Sequence, residues 1–138
     1  MDMLTLESAQ KIVAEAIKKA NADYKRPICV SVVDFYGFLV AFGRMDGAPI
    51  RSIEISRRKA FTAVRIMVST DEFLKRLQDN KFEAGFFGDE NYSALPGGNL
   101  LKDAAGNVLG AVGVSGLALN EDRSITEAMA ELMKQGKV

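Results

Sequence analysis

The sequence predicts an α+β fold, a single domain over residues 1–138 in which helices pack on an antiparallel sheet. The chain has 138 residues, and a chain of this length buries roughly 70% of its unfolded surface, enough for one hydrophobic core. The predicted elements follow the order helix, strand, strand, helix, helix, loop, strand, strand, helix. Two strands that follow each other closely form a hairpin, and a hairpin makes an antiparallel pair.

The first predicted element is an amphipathic helix. Thr5 is its candidate N-cap, and apolar residues recur at helical spacing from Leu6 to Ala20. We expect this helix to end near Asn21, because the segment beyond is polar and Pro27 restricts the residue before it.

A hairpin and two helices follow. Residues 28–33 and 38–42 read as strands joined by a turn at 34–37. Residues 52–66 contain no Gly or Pro and mix charged with spaced apolar residues, which predicts the second helix. A short third helix is expected to begin at Thr70, taken as its N-cap.

The last third of the chain predicts a second hairpin and a final helix. The strands are residues 100–102 and 108–115, and the helix runs from about Glu121 to Gln135, with Gly136 placed to end it. The path of residues 85–99, which are rich in Gly and aromatic residues, is not predicted by any periodicity.

Composition excludes several classes of function. Eighteen basic residues balance eighteen acidic ones, so nothing attracts the chain to nucleic acid or an anionic membrane. The chain has no histidine and one cysteine, Cys29, which excludes structural zinc, internal disulfides and histidine-based triads. No stretch is apolar enough to span a bilayer or to act as a signal peptide, so we expect a cytoplasmic protein. The missing histidine and the single cysteine predict that there is no metal site.

Four charged residues are candidates for chemistry. Asp34 ends a strand, where its carboxylate is either catalytic or bonded to turn amides. Arg44 and Asp46, two residues apart after a strand, either pair with each other or present a fork to a ligand carboxylate. Lys59 lies close to Ala60 and Ala63, on a different bearing of the second helix from Arg57 and Arg58, and is expected to point at a pocket.

Three residues are of types that can ligate haem iron. Tyr36 and Tyr92 offer a phenolate and Met45 a thioether, although nothing in their spacing requires iron binding and packing is the favoured explanation of each. The glycines at 110, 113 and 116 do not match a phosphate-binding motif, and we interpret them as a central strand on which a helix packs closely. Cys29 reads as a small buried hydrophobe.

Several blocks of residues, in order along almost the whole chain, together resemble the GlcG/HbpS family. The most specific are Arg-Met-Asp-Gly-Ala at 44–48, Pro-Gly-Gly at 96–98 and Gly-x-x-Gly-Val-Ser-Gly at 110–116. Weaker blocks are Val32-Val33-Asp34, Gly37, Leu39, Phe42-Gly43, Ser52 and Lys59-Ala60-x-Thr62-Ala63. Members are similar to the C-terminal domain of PduO-type cobalamin adenosyltransferases and are described as haem-binding or haem-degrading.

The resemblance implies a profilin-like or PAS-like fold with about five antiparallel strands, a homo-oligomer, and a role beside glycolate, glycerol or propanediol metabolism. It also implies a small-molecule ligand such as haem. The ligand-binding residues would be Arg44, Met45, Asp46, Lys59, Tyr92, Pro96, Gly97 and Gly98. One departure stands out, because Phe38 occupies a turn position where the family often has histidine. Any haem binding by this chain must therefore use other ligands.

Two alternatives to a ligand-binding protein stay open. One is an accessory enzyme acting on a small carboxylate or hydroxy acid, with Asp34 or Asp46 as the base and Arg44 as the clamp. The other is an oligomeric protein with no ligand.

Overall fold

The computed structural model describes residues 3–138 and confirms the α+β class. Four helices surround one four-stranded sheet. The helices are α1 (Leu6–Lys19), α2 (Arg51–Ile66), α3 (Thr70–Asn80) and α4 (Leu119–Lys134); the strands are β1 (Cys29–Asp34), β2 (Leu39–Arg44), β3 (Gly98–Lys102) and β4 (Val108–Ser115). The strand order is β2-β1-β4-β3, and every neighbouring pair is antiparallel.

The family resemblance implied about five strands, which is one too many for residues 3–138. The predicted element order has the four strands that the structure shows. The segment between α3 and β3 adds no strand and instead holds one 3-10 turn at Ala84–Phe87. Gly88 and Gly97 in this segment have φ of +89° and +118°. Such left-handed backbone interrupts the extended conformation that pairing requires.

Two helix ends differ from the prediction. Thr5 does cap α1, its hydroxyl accepting the Ser8 N–H at 3.0 Å, but a π-helical turn over Ala20–Tyr24 prolongs the helical path beyond Asn21. The N-cap of α3 is Ser69 and not Thr70. Ser69 and Thr70 both carry a hydroxyl group that can cap a helix. The local sequence does not show which of these two adjacent residues is the cap.

The last helix begins earlier than predicted. α4 starts at Leu119, because the Glu121 carboxylate accepts the Ala118 N–H at 3.0 Å and so satisfies an amide at the start of the helix. Its predicted end is confirmed, since Gly136 has φ +72° just beyond the last turn.

The sheet separates two layers of helices. α2 packs on one face, while α1 and α4 pack on the other. The larger core lies between the sheet and α1 with α4, and includes Ile12, Val32, Val112 and Ile125. The smaller core lies under α2 around Ala60.

The glycines of β4 allow close packing, as interpreted from the sequence. A Cβ atom on Gly113 would lie 2.0 Å from the carbonyl oxygen of Ser56 in α2. Any side chain there would push α2 off the sheet. Hydroxyl pairs replace apolar contacts beside this glycine, since Ser31 and Ser56 meet at 2.8 Å and Ser52 and Ser115 at 3.1 Å.

Within residues 3–138, no helix combines the length and the apolar character needed to cross a bilayer.

Candidate functional site

Lys59 lies in the protein core, where it meets a partner that sequence reasoning missed. Its Nζ donates to the Val114 carbonyl oxygen at 2.9 Å and to Asp122 Oδ2 at 3.1 Å. The side chains of Lys59 and Asp122 are each 1% exposed. The lysine therefore ties α2 to the first turn of α4, and its ammonium faces a carboxylate of the chain itself.

Burial perturbs the pKa of both members of this pair. Desolvation lowers the pKa of Lys59 and raises that of Asp122 to about 6, while the attraction between the two charges opposes both shifts. The second oxygen of Asp122 accepts the Leu117 N–H at 3.1 Å. Each polar atom of the pair thus has a hydrogen-bond partner, as a buried charge requires.

The Pro-Gly-Gly block makes room for Lys59. A Cβ atom on Gly97 would lie 2.9 Å from Lys59 Nζ and 2.8 Å from the Val114 carbonyl oxygen. A Cβ atom on Gly98 would lie 2.4 Å from the Lys59 carbonyl oxygen. The fold therefore brings Lys59 next to Gly97 and Gly98. The half-buried Pro96 lies directly before these two glycines.

Arg44, Met45 and Asp46 lie at another place, where β2 ends. Arg44 and Asp46 are exposed, and no ion pair joins them in the described part of the chain. Met45 is half-buried, and its Sδ accepts the Ile28 N–H at 3.3 Å. Its thioether is thus engaged with the backbone at the start of β1.

Tyr92 belongs to an aromatic cluster on the outer side of α2. Its ring centroid lies 5.7 Å from that of Phe61 and 6.3 Å from that of buried Phe73. Phe87 continues the cluster at 5.1 Å from Phe73. Packing of these rings fixes the course of the segment that had no predicted path.

The β1–β2 turn borders an apolar cavity of about 510 Å³, which we call the hairpin cavity. It is lined by Met3, Leu4, Asp34, Phe35, Tyr36, Val40, Val108 and Leu109. Asp34 Oδ1 accepts the N–H groups of Tyr36 at 2.9 Å and Phe38 at 3.0 Å, so this carboxylate holds the turn. Tyr36 itself is 62% exposed.

Sequence reasoning missed the cavity, although two signals were visible. One is the run of aromatic residues in the turn, and the other is the pair of apolar residues at the start of β4. Neither indicates a cavity until the sheet brings Val40 and Leu109 to the same end of the molecule.

A second cavity, of about 440 Å³, lies between α3, β3 and α4 and is strongly polar. One of its cations, Arg123, forms ion pairs within the chain with Glu127 at 2.6 Å and with Asp71 at 3.5 Å. No group of three or more metal-ligating side chains converges anywhere in residues 3–138.

Comparison with known proteins identifies the family. The family model described as "Haem degrading protein HbpS-like" matches residues 4–131. The chain belongs to the HbpS-like family. This assignment covers all four strands and almost all of α4.

Three individual relatives support the family assignment, and this chain matches each of them over most of its length. An uncharacterised 15.0 kDa protein from the dhaT-dhaS intergenic region of Citrobacter freundii is 32% identical, over 96% of this chain and 93% of that protein. A double mutant of HbpS from Streptomyces reticuli is 32% identical with a TM-score of 0.84, over 96% of this chain and 88% of the other. A complex of PduOC with haem shares the fold, with a TM-score of 0.85 and 24% identity over 94% of both chains.

In this HbpS-like fold, the side chain of Phe38 at the β1–β2 turn is exposed to solvent. Phe38, the turn residue at which the resemblance implies a departure from the family, is 72% exposed. It lies at the same end of the sheet as the hairpin cavity.

Proposed function

We propose that this protein binds haem or a related tetrapyrrole in the hairpin cavity, with the phenol of Tyr36 as the iron ligand in place of histidine. The observation that carries the proposal is the combination of an apolar cavity with one accessible phenol at its wall. Tyrosine is an axial ligand of haem iron in known enzymes.

The cavity suits a ligand of this class in size and polarity. Its volume, about 510 Å³, falls within the roughly 300–1,000 Å³ of small-molecule sites, which are mostly apolar with a few polar groups. Phe35, Val40 and Leu109 supply apolar wall, and the Asp34 carboxylate is held by the turn amides. The ligand's own carboxylates would then face solvent at the open side, away from Asp34.

Of the three candidate iron ligands, Tyr36 is the most exposed. Met45 Sδ accepts a backbone hydrogen bond, and the ring of Tyr92 is packed against Phe61 and Phe73. Tyr36 is 62% exposed and needs no rearrangement of the core to meet a ligand.

Lys59 and Arg44, two of the predicted ligand-binding residues, do not line the hairpin cavity. Lys59 is fully buried against Asp122. Arg44 lies at the opposite end of β2 from the turn, five residues beyond Leu39, which corresponds to about 17 Å along a strand. We therefore do not assign either residue to the carboxylates of a ligand in the hairpin cavity.

The test is a haemin titration followed by absorption spectroscopy. Wild type and Tyr92→Phe should both shift the Soret band and give the charge-transfer band of phenolate-ligated ferric iron. Tyr36→Phe should lose that band, and Met45→Leu should keep it. A wild-type spectrum equal to that of free haemin would reject the proposal, and an unchanged spectrum for Tyr36→Phe would reject the ligand assignment.

A small organic acid is the second candidate ligand, bound by Arg44. The exposed guanidinium has no carboxylate partner within the described residues, and Asp46 lies two residues away as a candidate base. A thermal-shift screen of short carboxylic and hydroxy acids would test it, with Arg44→Gln as the variant. No stabilisation of wild type by any acid would reject this alternative.

A further inference from the structure

Three aspartates in turns of the chain have carboxylates that are held by backbone amides. Asp34 accepts two N–H groups of the β1–β2 turn, at 2.9 and 3.0 Å. Asp103 accepts two N–H groups of the β3–β4 turn, at 3.0 and 2.9 Å, and Asp89 accepts the Asn91 N–H at 2.8 Å. Bonding the backbone two residues further on is the usual role of aspartate in a turn.

Asp46, in the turn between β2 and α2, differs from these three. Its side chain is exposed, and within residues 3–138 no hydrogen bond or ion pair involves its carboxylate. The next residue is Gly47, and no other aspartate of the chain is followed by a glycine. The Gly47 N–H also has no hydrogen-bond partner among the described residues. A free carboxyl group and a free amide nitrogen therefore lie side by side along the chain.

The surroundings of this Asp-Gly pair leave it room to change conformation. One backbone hydrogen bond closes the turn, from the Ala48 N–H to the Met45 carbonyl oxygen at 3.1 Å. A Cβ atom on Gly47 would meet only Pro27, at 3.8 Å. Glycine itself has no side chain to hinder its nitrogen, and its backbone is the least restricted of any residue. The Gly47 nitrogen can therefore reach the Asp46 carboxyl carbon once a single hydrogen bond opens.

We propose that Asp46 is a site of spontaneous isoaspartate formation. The Gly47 nitrogen attacks the side-chain carboxyl carbon of Asp46, and a bond forms between these two atoms. The hydroxyl group of the carboxyl and the hydrogen of the amide leave together as one water molecule, which yields a cyclic imide. One water molecule then opens the imide at either carbonyl and gives aspartate or isoaspartate, so the reaction needs no cofactor and no oxidant.

The isoaspartyl product changes the turn that joins β2 to α2. The main chain then runs through the former side chain and is longer by one methylene group. The hydrogen bond between Ala48 and Met45 spans this insertion. Met45 also donates its N–H to the Ile28 carbonyl oxygen and accepts the Ile28 N–H on its Sδ. We therefore expect the modification to loosen the contact between this turn and the start of β1.

Peptide mapping of aged protein gives the test. Trypsin cleaves after Arg44 and Arg51 and so releases the Asp-Gly pair in the short peptide 45–51. Electron-transfer fragmentation distinguishes isoaspartate from aspartate in this peptide, although the two have equal mass. After weeks at physiological pH and temperature, the folded wild type should carry several-fold more isoaspartate at Asp46 than at Asp34 or Asp103. Labelling with a protein-isoaspartyl methyltransferase measures the total independently.

Ala104→Gly separates the effect of the structure from that of the dipeptide. It places a glycine directly after Asp103, at an exposed position of the turn, while two backbone amides still hold the Asp103 carboxylate. In this variant Asp46 should still form isoaspartate several-fold faster than Asp103. Asp46→Glu should abolish the product at this turn, because the longer side chain closes a less favourable ring.

Three results would overturn the proposal. They are an aged wild type without isoaspartate in peptide 45–51, an Ala104→Gly variant in which Asp46 and Asp103 react equally fast, and an Asp46→Glu variant that keeps the methyltransferase label of wild type.

Discussion

The ammonium of Lys59 and the carboxylate of Asp122 lie 3.1 Å apart in the interior of the protein, 63 residues apart in sequence. They join the helix on one face of the sheet to a helix on the other, past the backbone of Gly97. Three of the sequence blocks that carry the family resemblance therefore converge on one buried ion pair, where they support the fold.

Removing one partner of this pair should be costly. Asp122→Ala leaves a buried ammonium without its counter-charge, and we expect a loss of about 3–5 kcal/mol in the free energy of unfolding. Replacing both charges with apolar residues, in Lys59→Met with Asp122→Leu, should cost less. Urea denaturation measures each value. Glu127→Ala, which breaks an exposed pair with Arg123, is the control and should change stability by less than about 1 kcal/mol. Equal losses for Asp122→Ala and Glu127→Ala would contradict the argument.

The raised pKa of Asp122 predicts a particular pH dependence. Because burial raises the pKa from 3.8 to about 6, the folded protein binds more protons than the unfolded chain between these values. The stability gained by protonating Asp122 in the folded state is therefore fully present below about pH 3.8 and is lost as the pH rises through 6. This proton-linked part is separate from the attraction between the charged carboxylate and Lys59. Subtracting the unfolding free energies of Asp122→Asn from those of wild type at each pH isolates this contribution. A difference that does not vary across this range would count against the shift.

Gly97 should not tolerate a side chain. Its φ of +118° disfavours any L residue, and a Cβ atom would press on Lys59 and Val114. We expect Gly97→Ala to lower the free energy of unfolding by at least about 1–3 kcal/mol. Gly85→Ala is the matched control, because no atom lies within 4 Å of its Cβ position. Similar melting temperatures for the two variants would show that the space beside Lys59 is not tight.

The hydroxyl of Thr70 should matter more than its methyl group. Thr70→Val removes the acceptor of the buried Gly98 N–H, and an unsatisfied buried donor costs about 1–3 kcal/mol. Thr70→Ser retains the hydroxyl and should lose less. Chemical denaturation of the two variants, with amide exchange at Gly98, measures the effect. Faster exchange at Gly98 is expected only in Thr70→Val.

The hairpin cavity should lose its ligand when its wall is charged. Leu109→Glu places a carboxylate against the apolar ligand proposed here, and haemin affinity should fall at least tenfold. Leu119→Glu, on a residue 42% exposed at the start of α4, is the control and should bind as wild type does. Equal affinities would place the ligand elsewhere on the protein.

Most of the fold was predictable because its signals are local. Helical spacing located α1 and α2, and turn residues located both hairpins, each within a few residues of the observed bounds. The errors lie where two adjacent residues compete for one role, as Ser69 and Thr70 do for the cap of α3. The element order read from the sequence has the four strands that are observed, whereas the count of about five implied by the family resemblance was one too high.

The candidate site was less predictable, because each of its residues depends on distant parts of the chain. Lys59 was expected to point at a pocket, whereas Asp122 and Gly97 enclose it. Met45 and Tyr36 are both chemically able to ligate iron, but the Ile28 N–H engages one while the hairpin cavity leaves the other accessible.

The sequence by itself determined the elements, the antiparallel arrangement, the absence of histidine and the family resemblance, because these follow from residue identity, short-range periodicity and turn chemistry. Only the tertiary structure decided which polar groups are buried against each other and where the apolar cavity lies. These features depend on side chains brought together from tens of residues apart, and no local pattern records which of them will meet.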